Sequence, residues 1–171
     1  GTIYKAMDGR VTAKRPRYGY IKTDPKNSQY VLHPEESKVM RAIYEKIIYE
    51  GQTLYQISKW LNDSGIPTRF KTGFWTAGTL YQLVKSPVYK GVFYANRVYQ
   101  VHTGEYNEAG RPKRTNKTRP QEEWIEIEVP AIVTPAEWDI AQEVMKRNAT
   151  KSTRNGKKGS WLLQGFIRCA I

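Results

Sequence analysis

Cysteine is almost missing from this chain: one residue of 171, Cys169. A lone thiol closes no internal disulfide, so the chain is not a stapled extracellular scaffold, and it suits a reducing compartment. Histidine is nearly as scarce, with only His33 and His102, far apart in sequence. These three side chains do not complete a tetrahedral site built from soft ligands. No apolar run is long enough to cross a bilayer, and the start has no signal-peptide pattern. Neither a phosphate-cradling Gly-x-x-x-x-Gly-Lys-Ser/Thr nor a nucleophile-elbow Gly-x-Ser-x-Gly occurs, which removes two common routes to catalysis. Acid clusters with histidine only at His33-Pro34-Glu35-Glu36, and that pattern suits a helix start better than an acid–base pair. Acids as a class are the larger deficit: 16 Asp plus Glu stand against 28 Lys plus Arg, a net charge of +12. An excess of that size draws a chain to a polyanion. The sequence opens on Gly1 rather than Met and reads as a piece of a longer protein.

What is present is enough for one core, or one core plus a small appendage, since 39% of the residues are hydrophobic. Residues 51–88 organise it, as two helices separated by a basic, Gly-bearing loop. Thr53 and Gln56 form a capping box at the start of the first helix, and Leu54, Ile57 and Leu61 recur at helical spacing. Gly65 and Ile66-Pro67 end it. The second helix opens at Thr76, turns Leu80, Leu83 and Val84 inward, and stops before Ser86-Pro87. Its outer side holds Thr76, Ala77, Gly78, Thr79, Tyr81, Gln82 and Lys85. Small residues, hydroxyls, an amide and a cation at the front of a helix are what a major-groove reader needs, because they approach closely and do not repel phosphate. Most polar helix faces are simply solvated, so the rest of the chain has to support that reading. Arg69 and Lys71 lie in the connecting loop, at its expected DNA edge.

Elsewhere, residues 1–16 have no sustained period and carry Lys5, Arg10, Lys14 and Arg15, followed by Arg17, against one acid, Asp8. They read as a basic arm for the phosphate backbone or a minor groove, or else as a solvated terminus. Residues 18–21 and 30–32 suit a hairpin around the turn formers at 24–28. Pro34 then opens a long helix with Val39, Met40, Ile43, Tyr44, Ile47 and Ile48 as its core stripe and Gly51 at its end. Residues 88–99 are rich in β-branched and aromatic side chains, with Ala95-Asn96 as a candidate hairpin turn. Residues 104–120 show no apolar period and read as a mobile basic loop, reaching DNA on binding or merely solvated. Residues 124–129 alternate, with Ile125, Ile127 and Val129 on one face and Glu126 and Glu128 on the other, as a half-buried strand does. Thr134 to Glu137 make a second capping box, opening a helix that holds Trp138, Ala141, Val144 and Met145. Residues 148–160 form a basic polar linker, and 161–171 begin a new apolar unit. The fold class is therefore α+β: a mainly helical, helix-turn-helix-like core with short β-hairpins or strands and a C-terminal helix.

Tyr18-Gly19-Tyr20, then Leu32-His33-Pro34-Glu35-Glu36, then the helix to Gly51 come first in a longer pattern. Gln56-Ile57-Ser58-Lys59-Trp60-Leu61-Asn62-Asp63-Ser64-Gly65-Ile66-Pro67-Thr68, Trp75-Thr76 and Leu83-Val84-Lys85-Ser86-Pro87-Val88-Tyr89-Lys90-Gly91 follow in that order. Together, over residues 10–148, they closely resemble the recombinase domain of large serine recombinases, the phage-integrase and transposon-resolvase type of site-specific recombinase of mobile elements. The resemblance implies a DNA-binding domain, residues 17–148, preceded by a serine-bearing catalytic domain whose linker is 1–16. It implies that, after a linker at 149–160, residues 161–171 are the truncated start of a zinc ribbon with Cys169 as its first ligand. Zinc is then expected in the full-length protein, no cofactor in this piece, and no strand cleavage by it.

By the same resemblance the partner is double-stranded DNA carrying an attachment site, with Thr76, Gly78, Thr79, Tyr81, Gln82 and Lys85 in the major groove. Arg15, Arg17, Lys71 and Arg97 would meet the backbone or minor groove. The full protein is expected to act as a dimer or tetramer and this piece to be a monomer, cytoplasmic, with no membrane partner. The rival reading is a stand-alone winged-helix transcription regulator; an RNA-binding scaffold and a divergent nuclease follow it.

Overall fold

The structure, a computed structural model, describes residues 2–23, 28–70 and 73–150. Its five helices are α1 (Thr2–Met7), α2 (Pro34–Ile48), α3 (Leu54–Asp63), α4 (Ala77–Val84) and α5 (Pro135–Thr150). Six strands, β1 (Tyr20–Lys22), β2 (Tyr30–Leu32), β3 (Val92–Ala95), β4 (Val98–Tyr106), β5 (Pro112–Thr118) and β6 (Ile125–Glu128), form three antiparallel two-stranded ladders, β1–β2, β3–β6 and β4–β5. The class is the α+β arrangement the sequence implies.

Local chemistry sets most element ends. Pro34 opens α2 behind His33, whose Nδ1 accepts the amide of Glu36 at 3.3 Å. Met40, Ile43, Tyr44 and Ile47 are its buried stripe. Both bonds of the α3 capping box are made, Thr53 Oγ1 accepting from Gln56 N at 3.3 Å and Gln56 Oε1 accepting from Thr53 N at 2.9 Å. Thr134 and Glu137 make the equivalent pair on α5 at 3.2 and 2.8 Å. In β6, Ile127 is buried while Glu126 and Glu128 face solvent, so the alternation holds.

The core is unusually phenolic. Tyr20 stacks on Tyr30 with centroids 5.3 Å apart, tilts against Tyr89 at 5.9 Å, and Tyr89 meets Tyr44 at 6.1 Å. Their hydroxyls bind carbonyls of distant segments: Tyr20 to Pro130 at 2.8 Å, Tyr89 to Tyr18 at 3.0 Å, and Tyr44 to Val84 at 2.9 Å. A buried phenol contributes apolar area and can still satisfy its own oxygen, so Tyr20, Tyr44 and Tyr89 fasten distant segments together, whereas the buried Tyr30 hydroxyl finds no partner among the described residues. Burial raises the pKa of Tyr18 to about 12 and pushes those of Tyr20, Tyr30, Tyr44 and Tyr89 upward as well.

Five expectations need correction. Residues 1–16 are not all an aperiodic arm: Thr2–Met7 is helical, Ala6 and Val11 are buried, and Val11 N–H donates to Ser28 O at 3.0 Å. The 88–99 stretch, rich in strand formers, does not begin as strand, because Pro87–Lys90 is a 3-10 turn ended by Gly91 at φ +98°. A Cβ at Gly91 would lie 3.3 Å from both Val129 O and Ala131 Cβ, so a side chain there would be crowded as well as strained by the positive φ. Ala95-Asn96 does not make a hairpin either: β3 pairs with the distant β6, and Asn96, at φ +57°, turns the chain out into β4. Residues 98–118 are then a β-ribbon rather than a loop. At the other end, α5 runs through Thr150 into the stretch read as linker, and residues 151–171 lie outside the described residues.

Candidate nucleic-acid interface

Helix α4 is only two turns long, too short to hold its shape without tertiary support. Leu80 and Val84 are fully buried beneath it and Leu83 is half-buried. Its front is clamped by Asn62, whose amide donates to Trp75 O at 3.0 Å and accepts from Trp75 N at 2.8 Å. The Trp75 indole, 3% exposed, donates to Ile66 O at 2.8 Å and meets Tyr18 edge-on with centroids 5.0 Å apart. At the far end, the carbonyl of Val84 accepts from Tyr44 Oη at 2.9 Å and Gln142 Nε2 at 3.0 Å, and Ser86 O accepts from the Trp138 indole at 3.2 Å. Orphan carbonyls of a helix end are thereby satisfied by α2 and α5, and the helix is fixed in both position and rotation.

All six side chains expected to face DNA from this helix, Thr76, Gly78, Thr79, Tyr81, Gln82 and Lys85, are exposed. They are not equally free. Thr76 is the N-cap: its hydroxyl accepts from Thr79 N at 3.1 Å and lies 3.0 Å from Thr79 Oγ1. Lys85 folds back over the Tyr81 ring, 5.4 Å from its centroid, with Nζ 3.4 Å from the phenol oxygen. Gln82 has no hydrogen-bond partner among the described residues, so its two donors and its acceptor are available. No acid lies on α4 itself, and the groove between α3 and its front holds one carboxylate, Asp63, with Lys59 beside it.

The expected backbone contacts divide. Arg15 and Arg17 are exposed; the Arg15 guanidinium lies over the Phe70 ring at 5.4 Å, which ties the arm to the α3–α4 connection. Arg97 is exposed at the foot of the β4–β5 ribbon, over the Trp124 ring at 4.7 Å. Lys71 lies outside the described residues. Arg69, expected beside it at the DNA edge, turns inward instead: it bonds Glu36 at 2.7 Å, Tyr20 O at 2.9 Å and Arg17 O at 3.1 Å, while the same Glu36 oxygen accepts from Gly19 N at 2.8 Å. A half-buried guanidinium with three internal acceptors is structural. It ties the arm, the β1–β2 hairpin and α2 to the loop that leads into α4.

Sequence reasoning missed the clamp. Asn62 looks like any helix-end polar residue, and nothing local says that its amide meets a backbone 13 residues on. Cys169, expected as a first zinc ligand, also lies outside the described residues, and one thiolate is a quarter of the set a structural zinc takes.

Residues 34–148 match the family model described as Recombinase. A relative from Bacillus subtilis (strain 168), named "Putative DNA recombinase", is 29% identical over 176 residues, covering 99% of this chain and 34% of its own length. Among solved structures, a chain in "Crystal Structure of a LSR-DNA Complex" superposes with a TM-score of 0.56 at 19% identity, over 95% of this chain and 41% of that one. A chain in "Sequence Requirements of the Listeria innocua prophage attP site" does so at 0.55 and 19%, over 95% and 56%. The chain spans about a third of the curated relative and about half of the solved ones. With two thirds of its residues inside that family model, the chain belongs to the Recombinase family, and it shares its fold with those solved chains.

Proposed function

We propose that this chain selects the DNA site on which a site-specific serine recombinase acts, by placing the outer side of α4 in the major groove of one attachment half-site. Gln82 hydrogen-bonds a base edge, Thr79 and the Tyr81–Lys85 pair line the groove beside it, and Gly78 lets the helix front approach. Thr76 serves mainly as the cap that holds this front together. Arg15 and Arg17 follow the phosphates or enter the neighbouring minor groove. Cleavage and rejoining of strands belong to another part of the longer protein.

The observation that carries this reading is a fixed helix with an uncommitted amide. Both ends of α4 are fastened from inside, while Gln82, in the middle of its outer side, has no partner among the described residues. A free donor–acceptor pair carried on a fixed helix, in a chain of net charge +12, is suited to direct base readout. That a chain of the same fold comes from a DNA complex adds support.

Selection of duplexes from a random library tests it. The chain should enrich one consensus, and Gln82→Ala should relax one position of it, at a cost of ~1–3 kcal/mol if the contact is bidentate. Enrichment of no duplex, or equal loss by Gln82→Ala on every sequence, would remove base reading from α4.

A further inference from the structure

The β4–β5 ribbon stands clear of the core. No residue of β5 is better than exposed, and β4 has only Val101 half-buried, so neither face is packed on the core. A lone two-stranded ribbon is marginal in water, and this one has no apolar face with which to gain stability from its own chain. Its register is regular from Val98↔Thr118 to His102↔Arg114 before an irregularity near Gly104. Directly opposed residues share a face. One face therefore holds Val98 with Thr118, Gln100 with Asn116, and His102 with Arg114; the other holds Tyr99 with Lys117 and Val101 with Thr115.

The first face carries two neighbouring amides and a guanidinium, with no carboxylate. Arg114 Nη1 lies 3.4 Å from Gln100 Oε1, and the Asn116 amide has no partner among the described residues. The nearest acid on β4, Glu105, lies past the irregularity and is paired with Lys113 at 3.0 Å. Across residues 97–119 six Lys and Arg face two acids, Glu105 and Glu108. The major groove admits a two-stranded ribbon as readily as a helix, and Asn or Gln amides pair with the N6/N7 edge of adenine. At about 3.3 Å per residue, the seven residues of β5 reach roughly 23 Å, most of one helical turn.

We infer that this ribbon is a second DNA-reading element, whose Gln100–Asn116 face enters a groove of the same duplex outside the base pairs taken by α4. The two amides contact base edges there, and Arg114 contacts a phosphate. The inference rests on the proposal that the chain binds duplex DNA.

The test uses the whole chain and a random 40-base-pair library, comparing the intact protein with Gln100→Ala/Asn116→Ala and with Thr115→Ala on the opposite face. The double variant should select a shortened consensus. It should bind the intact chain's consensus about 10-fold or more weakly, yet change less than about 2-fold on a duplex in which the dropped positions are scrambled. Thr115→Ala should keep both the consensus and the affinity. An unchanged consensus for the double variant, equal loss on every duplex, or a matching loss in Thr115→Ala would each overturn the ribbon's role. If Gln82→Ala still relaxes its own position in those cases, the α4 reading stands and only the ribbon falls. If the intact chain selects nothing, both fall.

Discussion

Gly78 stands in the first turn of α4, exposed, and a Cβ built on it meets nothing closer than Thr76 Oγ1 at 3.9 Å. Its backbone is helical, outside the left-handed region that calls for glycine. Nothing inside the protein therefore requires it, although glycine costs a helix about 1 kcal/mol relative to alanine in its interior and somewhat less in a first turn. Gly78→Ala should stabilise the fold by ~0.5–1 kcal/mol, a rise of roughly 1–4 °C in Tm for a chain of this size. If the glycine is there so that DNA can come close, the added methyl overpacks that contact. Affinity for the selected duplex should then fall about 10-fold, in keeping with the ~1–3 kcal/mol that overpacking costs in protein interiors. Urea melts and duplex competition at one fixed salt concentration measure the two effects on the same protein. Higher stability with unchanged affinity would refute close approach at this position. Lower stability would mean that the first turn is not built as described.

Other consequences follow from the supports of the site. Asn62→Ala removes both bonds to the Trp75 backbone and should cost ~2–3 kcal/mol, with duplex affinity falling at temperatures where circular dichroism still reports a folded chain; unchanged affinity would mean the clamp does not set α4. Arg69→Ala should destabilise the fold and leave the salt dependence of DNA binding intact, whereas Arg15→Ala should lower that slope by about 0.9 with little change in stability; the reverse pattern would exchange their roles. The buried tyrosines make stability depend on alkaline pH. Folding raises their pKa, so their contribution is complete below the unfolded value near 10 and is lost as pH rises above it. At pH 11, Tyr18, Tyr20, Tyr44 and Tyr89 should together remove on the order of 5 kcal/mol, comparable with the whole stability of a domain. Urea melts at pH 9 and pH 11 with the same midpoint would contradict that.

What the sequence made legible was local. The capping boxes at Thr53 and Thr134, the α2 stripe from Met40 to Ile47 and the alternation of β6 need only a few neighbouring residues, and each stands where its pattern put it. The exposed side of α4 was legible for the same reason, since Leu80 and Val84 fix which way a short helix turns. What failed was non-local or lacked contrast. The β4–β5 ribbon has two wet faces and hence no alternation to read. Pairing of β3 with β6 spans the whole ribbon, so the nearer Ala95-Asn96 turn looked sufficient. Arg69 resembled a DNA contact because its partner Glu36 is 33 residues away and looked like a helix-start acid. Among the described side chains of helix α1 only Ala6 is buried, too few to give a stripe.

The central claim is that the outer side of α4 touches bases. Photo-crosslinking measures this most directly, with one crosslinkable side chain at position 82 and, as a control, one at the exposed Lys38 on α2. On the library-selected duplex, position 82 should attach to one or two adjacent bases on the major-groove edge, and position 38 should attach to none. Crosslinks from position 38 that equal those from 82, or none from 82 on a duplex the chain demonstrably binds, would contradict the account.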